Sequence, residues 1–291
     1  MEQIGKFSKK DAKSYLEYEN WLSHLRNIVP HLLDSIPPNA SNWKEAIGLL
    51  KTANHEKHHL LSFYELMTAP ATTILDRWFE SDILKTTPAT DAVVGAMLSP
   101  SQPGSAYILF HHVMGESDGQ QGVWAYLEGG MGALSNSIAE SAKSNGAEIR
   151  TNSSVKKILL SDESKAIGVE LMDGSKIESK IVLSNCTPQR TFVEFIPDEF
   201  DWSKVTKTGR NSFINHIKNI DYSCGAFKIN CAINELPNFT CAPTPKDGSP
   251  GIHHRGTIHF ESKMIEIEEA FRDAICGKPA RRPVIEIYPL C

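Results

Sequence analysis

The sequence predicts a mixed α/β fold, on three observations. A long N-terminal stretch carries apolar residues at helical spacing, a central segment runs helix, strand, antiparallel meander and strand in order, and the last third alternates short strand-like runs with one helix. With 291 residues, the chain is long enough for two closely packed domains.

From Lys9 to about Leu84 the pattern is helical. Tyr15, Tyr18, Leu22, Leu25 and Val29 recur three and four residues apart, Pro30, Pro37 and Pro38 punctuate the next stretch, and Trp78, Phe79 and Ile83 extend an apolar stripe. Between Asp91 and Tyr126 the Gly and Pro turns of SPSQPGS lead into YILFHHV, Tyr107 to Val113. Its composition predicts a strand, with His111 and His112 on opposite faces. Each histidine is open to two readings, a hydrogen-bonded core residue or a weak catalytic candidate facing a ligand.

The segment Gly122 to Pro188 is the most informative. A glycine-rich entry with Gly129, Gly130 and Gly132 opens a helix with Leu134, Ile138 and Ala142 on one face, and Gly146 sits at its stop position. Strands are expected at Ala147 to Arg150, Val155 to Leu160, Ala166 to Leu171 and, after the Asp173-Gly174 turn, Lys176 to Glu178. A further apolar strand, Lys180 to Leu183, ends in the loop Ser184-Asn185-Cys186-Thr187-Pro188. Ligands gather at the carboxyl ends of strands in open α/β sheets. A purely structural loop would look the same. Beyond it, strands are expected at Gly225 to Ile233 and Thr257 to Glu261, a helix near Ile265 to Ile275, and a strand within PVIEIYPLC at the end. The His253-His254 pair is expected to face solvent.

A formal charge of −5 gives no basic surface for nucleic acid or anionic membrane. No run of about 18 apolar residues predicts a membrane span. The six cysteines lack C-x-x-C spacing, which points to buried free thiols in a reducing compartment. The N-terminal residues carry no secretory or Arg-rich transit pattern, and both ends have the look of interrupted elements, as in an internal fragment.

One motif suggests hydrolytic chemistry. In NHEKHHLLSF, His55, Glu56 and His59 spell H-E-x-x-H, in which two histidines one helical turn apart grip zinc and the glutamate activates its water. Glu80, 21 positions beyond His59, could supply a third ligand. The alternative is a solvated helical face, since Lys51, Asn54 and Lys57 flank the motif.

The run GVWAYLEGGMGALSNSIAESAKSNGAEIRTNSSVKKILL, together with GVELMDGSKIESKIVLSNCTP after it, resembles the central part of phytoene-desaturase-like flavoproteins, within the FAD-dependent amine oxidase class. WFESDILKTTPATDAVVGAMLSPSQPGSAYILFHHVMG, FKINCAINELPNF and RRPVIEIYP extend the resemblance over nearly the whole chain. It implies a dinucleotide-binding domain interleaved with a substrate domain: residues 1–125 as substrate domain, 126–195 as the returning part of the FAD-binding domain, and 196–291 as substrate domain again. It also implies FAD as cofactor, hydride transfer from a small hydrophobic substrate, and mitochondrial residence.

Carried over by position, Val155 matches the strand whose main chain meets the FAD adenine, Ser184 and Asn185 the loop beside the cofactor, and Gly129, Gly130 and Met131 the entry where the chain returns to the FAD domain. A tight turn required by packing explains the two glycines equally well. The resemblance places HEKHH in a variable helical part and gives WFESD no metal role, so no metal ligand is expected. It also exposes a departure: the G-x-G-x-x-G turn that seats a pyrophosphate on a helix N-terminus occurs nowhere in this sequence, so the sequence is expected to be without the family's N-terminal dinucleotide-binding βαβ unit. Two functional readings result, a portion of an FAD-dependent oxidoreductase inactive by itself and a non-catalytic product that binds a protein partner.

Overall fold

The structure is a computed structural model, and it describes residues 1–29, 57–123, 125–202 and 209–289. In chain order its helices and strands begin with α1 (Lys9–Arg26), α2 (Leu60–Thr68), α3 (Ala71–Trp78), α4 (Asp82–Asp91) and α5 (Ser105–Val113). The short strands β1 (Glu116–Ser117) and β2 (Gln120–Gln121) lead to α6 (Gly130–Ser144), then β3 (Val155–Leu160), β4 (Ala166–Leu171) and β5 (Lys176–Glu178). Last come α7 (Gly209–Lys218), β6 (Ile258–His259), α8 (Met264–Ile275) and β7 (Glu286–Ile287). The mix of helix and sheet is the α/β class that the sequence predicts.

The chain divides into two compact units, residues 1–125 with 223–291, and residues 126–222. In the first, apolar residues at helical spacing build the core: Tyr18, Leu22 and Leu25 of α1 bury against Ile74 and Leu75 of α3 and Phe110 of α5. Ser8 starts α1 as N-cap, its hydroxyl accepting the Asp11 amide at 3.0 Å. Asp11 is wholly buried, and its carboxylate accepts the amides of Glu80 and Ser81, each at 2.9 Å. The start of α4 is thus capped from α1, because Ser81 at the N-cap position caps it with no side chain of its own. Glu80 is occupied locally, accepting from Ser8 at 2.8 Å and pairing with Lys10 at 3.2 Å. His55 and Glu56 lie outside the described residues, and His59 stacks on His24 with ring centroids 5.2 Å apart.

YILFHHV is helical, not a strand. Gly104 enters α5 in the left-handed region at φ 89°, and the Ser105 hydroxyl donates back to Pro100 and Gln102. The run is apolar nearly all round because Ala106, Leu109 and Phe110 are buried while Tyr107 and Ile108 are half-buried; a helix covered on several sides carries no polar stripe to announce its period. Gly225 to Ile233 is extended but pairs with no strand among the described residues, and Thr257 to Glu261 contracts to Ile258–His259. His254 is buried, not solvent-facing: its Nδ1 accepts the Gly251 amide at 3.0 Å and its Nε2 donates to Pro237 O at 2.8 Å. Cys186, Cys224, Cys231, Cys241 and Cys276 are free, as expected, but exposed rather than buried.

The second unit holds an antiparallel three-stranded sheet in the order β3-β4-β5, with the strand bounds that the sequence predicts. Gly168 in β4 is required there, since a Cβ would come within 2.2 Å of Ile177 O on β5. The expected strands at Ala147 to Arg150 and Lys180 to Leu183 do not form. Their sequences suit strands, but a strand exists only through a hydrogen-bonded neighbour, and the described residues supply none. Helix α6 buries none of its residues. Its apolar face stays open, with Met131 at 71%, Leu134 at 40% and Ile138 at 64% exposure, as do Ile181 at 72% and Leu183 at 92%.

Candidate functional site

The candidate site lies in the second unit, around the loop Ser184 to Pro188 and the turn after it. The Ser184 and Thr191 hydroxyls share a hydrogen bond at 2.8 Å, and the Cys186 amide donates to Ser184 Oγ at 3.3 Å. Thr187 caps the π-helical turn Arg190–Glu194, its hydroxyl accepting the Arg190 amide at 3.2 Å and its carbonyl the Thr191 amide at 2.9 Å. Gln189 donates its amide to the Tyr222 hydroxyl at 3.5 Å. The guanidinium of Arg190 reaches Glu194 at 3.7 Å and lies over the Phe195 ring at 5.5 Å. These residues enclose an open cavity of about 660 Å³, lined by Asn185, Cys186, Thr187, Arg190, Glu194 and Tyr222 among others. Its wall mixes amide, hydroxyl, thiol, one cation and one carboxylate with a larger share of apolar surface, so it can take a ligand with both polar and apolar parts.

The end of the turn is tied to the sheet by a bond from the Ile158 amide on β3 to Phe195 O at 2.9 Å. In the order β3-β4-β5, β3 is an edge strand. Val155, its first residue, faces Leu171, and the neighbouring pair is joined by the Met172 amide donating to Ser154 O at 2.9 Å. Antiparallel pairs alternate between bonded and non-bonded, so Val155 and Leu171 form a non-bonded pair. Leu171 agrees, since its amide turns the other way, to Ser175 O at 2.8 Å. The Val155 N–H and C=O therefore point away from β4, along the open edge. A bulge between Val155 and Lys157 then resets the register, so that the Ile158 amide also points outward. Next to it, Lys156 and Lys157 both reach Glu170, at 3.0 and 3.3 Å, and hold its carboxyl below the usual carboxylate range.

Gly129 and Gly130 stand at the entry to α6 with φ of 82° and 74°, two consecutive left-handed residues. A β-carbon on Gly129 would also sit 3.0 Å from Ala133 Cβ, so this turn demands glycine on backbone grounds. No side chain caps the first turn of α6, and Met131 within it is exposed. The cavity wall takes in Asn185; it includes neither Val155, Ser184 nor the Gly129-Gly130-Met131 entry, although all belong to the same unit. Arg190, Glu194 and Tyr222 are lining residues that sequence reasoning missed; only the helix-capping pattern of Thr187 three residues before Arg190 could have drawn attention to the turn.

His111 and His112 lie in the other unit, on α5. His112 donates from Nδ1 to Ile108 O at 2.8 Å, one turn back, and His111 is exposed beside Tyr107. Among the described residues, no three metal-ligating side chains gather at one point, and no helix is long and apolar enough to cross a membrane.

Comparison with known proteins bears on this geometry. Residues 8–218 match the model of the family described as flavin containing amine oxidoreductase. The chain is 40% identical over 298 aligned residues to pyridine nucleotide-disulfide oxidoreductase domain-containing protein 2 of Rattus norvegicus, covering 98% of this chain and 50% of the relative, and equally to its Mus musculus counterpart. The chain thus spans about half the length of these curated relatives. Shorter stretches match the phytoene desaturase (neurosporene-forming) of Rhodobacter capsulatus, 32% over 77 residues, and the chloroplastic prolycopene isomerase of Arabidopsis thaliana, 39% over 74 residues. These cover 26% and 25% of this chain, and 15% and 12% of the relatives. No solved structure matches. A family match running from α1 through the cavity turn, together with relatives aligned along almost the entire chain, places this protein in the flavin containing amine oxidoreductase family.

Proposed function

We propose that this chain forms the substrate-side half, and part of the cofactor cradle, of an FAD-dependent oxidoreductase that removes hydride from a small hydrophobic molecule. The observation that carries the reading is the outward Val155 backbone on the edge strand β3, in the same compact unit as the loop that holds Asn185. An edge N–H and C=O side by side offer a donor and an acceptor at the spacing a nucleobase edge requires, without calling on a side chain. The donor set fits a flavin dinucleotide in part. Val155 would hold the adenine, Ser184 and Asn185 would lie along the cofactor, and the Gly129-Gly130 turn would let the chain pass close to it. FAD, when bound, supplies the hydride acceptor. The protein's own residues would bind and orient it, and the open cavity at Arg190 and Tyr222 offers a surface on which to do so.

A pyrophosphate site is the missing component, since no G-x-G-x-x-G turn occurs in the sequence. We infer that the open face of α6, Ile181 and Leu183 is where a dinucleotide-binding βαβ segment packs, and that the 291-residue chain alone holds FAD weakly and is inactive. The names of the desaturase and isomerase relatives support an apolar substrate, and mitochondrial residence rests on the resemblance alone, testable by cell fractionation. The same open face favours a second reading, a non-catalytic product that binds a protein partner through it.

A chimera decides between them. With this chain substituted for the matching half of the rat relative, the purified protein is expected to carry flavin, while the chain alone is colourless. A folded chimera without flavin would leave the binding product as the better reading.

A further inference from the structure

The cavity wall in the second unit carries a cation to which the flavin reading assigns no role. Of the lining residues, the resemblance gives only Asn185 a place along the cofactor; Arg190, Glu194 and Tyr222 have none. Arg190 is held in position. Its guanidinium lies over the Phe195 ring at 5.5 Å, and that ring is buried, so the stack has a fixed base. Its Nε faces Glu194 Oε2 at 3.7 Å, close enough for an ion pair and too far for a hydrogen bond. Its two Nη nitrogens have no hydrogen-bond partner among the described residues. The side chain is 58% exposed, so the water now on it can give way to a ligand.

Tyr222 adds a second donor. Its hydroxyl accepts the Gln189 amide at 3.5 Å, which leaves its own proton to give, and none of the described residues takes it. The rest of the wall is more apolar than polar. A guanidinium edge and a phenol proton on a partly apolar cavity suit an oxyanion joined to an apolar body. The parallel N–H groups of arginine match the two oxygens of a carboxylate, and the apolar surface takes the body. Glu194 limits the charge of that ligand, because repulsion from its carboxylate grows with every further negative charge brought to Arg190. A monocarboxylate is therefore favoured over a diphosphate.

We propose that this cavity is the head-group subsite for an apolar monocarboxylate, with Arg190 bidentate on the carboxylate and Tyr222 donating to it. The site names the substrate class of the proposed oxidoreductase and rests on that reading: the small hydrophobic molecule that loses hydride is an acid anchored by its carboxylate.

Calorimetric titration of the whole chain with decanoate tests it. Methyl decanoate and decylamine keep the tail and change the head, and ADP carries the diphosphate and adenosine of the cofactor. Decanoate is expected to bind roughly tenfold or more tightly than either decyl analogue. Arg190→Gln should abolish that preference, and Arg190→Lys, which keeps the charge without the fork, should retain part of it. Glu194→Gln should tighten decanoate binding about threefold, the opposite of what an ammonium ligand requires. Exchange of the Ile158 amide, bonded to Phe195 O, reports whether the turn survives in each variant. Equal binding of decanoate and its ester would overturn the proposal, as would a preference unchanged in a folded Arg190→Gln variant. Tighter binding of decylamine would do the same, and ADP that competes with decanoate and is lost with Arg190 would give the cation to the cofactor. The Glu194→Gln result stands even where Arg190→Gln unfolds the turn: decanoate bound no more tightly there overturns the subsite. Selective decanoate binding beside a folded chimera without flavin would instead refute the oxidoreductase reading and leave the site standing.

Discussion

Replacing Val155 by proline separates the backbone contact from the fold. The substitution deletes one amide hydrogen and fixes φ near −65°. Because the Val155 N–H points away from β4, no ladder bond is lost, and the first residue of an edge strand is a position where proline is tolerated. The stability cost should therefore stay below about 1 kcal/mol, whereas proline at an inward amide would cost roughly 3 kcal/mol or more. Flavin binding loses a hydrogen-bond donor and leaves a ligand acceptor unsatisfied, about 1.5 kcal/mol, or roughly tenfold in Kd. Urea unfolding of the isolated chain gives the first quantity and fluorescence titration of the chimera with FAD the second, with Val155→Thr as the control that keeps the amide. A destabilisation of several kcal/mol would show that the amide belongs to the ladder. Unchanged FAD affinity would show that the ligand does not use it.

Four other outcomes are expected. Asp11→Ala orphans the Glu80 and Ser81 amides and should cost about 2–5 kcal/mol by denaturant titration, with Asp11→Asn between it and wild type. Gly129→Ala forces a side chain into the left-handed region against Ala133 and should cost about 1–2 kcal/mol. Asp91 has a folded pKa above its unfolded one, so its contribution is fully present below the unfolded carboxylate pKa and is lost as pH rises through the folded value. Asp91→Asn should accordingly raise the melting temperature at neutral pH relative to wild type, and the gain should vanish at about pH 3. Finally, Ile181→Thr with Leu183→Ser changes side chains that are nearly fully exposed; light scattering should show less self-association of the isolated chain, with its melting temperature unchanged.

The sequence made legible what local pattern decides. The bounds of β3, β4 and β5 follow from alternation around SDES and Asp173-Gly174, and α6 from its glycine entry and three-to-four spacing. Features that depend on partners were hidden. Lys180 to Leu183 has a strand's composition but lacks a neighbour to bond. Tyr107 to Val113 is surrounded by α2, α3 and α4, so its apolar residues cover both faces and mimic a buried strand. His254 in a Pro-rich loop is indistinguishable from a solvated residue until Pro237 and Gly251 close on it. In the candidate site, the proposed role of Val155 rests on resemblance, and its outward backbone is read only from the bonding of Ser154 with Met172. Tyr222 and Glu194 reach the cavity through folding of the chain after Pro188, which no spacing announces.

The most direct test of flavin recognition by the free edge of β3 is the exchange rate of the Val155 amide in the chimera, measured with and without FAD. Bound FAD should slow that amide, together with those of Ser184 and Asn185, and leave the β6–β7 ribbon unchanged. Saturating FAD that leaves Val155 exchanging at its free rate would place the cofactor elsewhere and contradict the assignment.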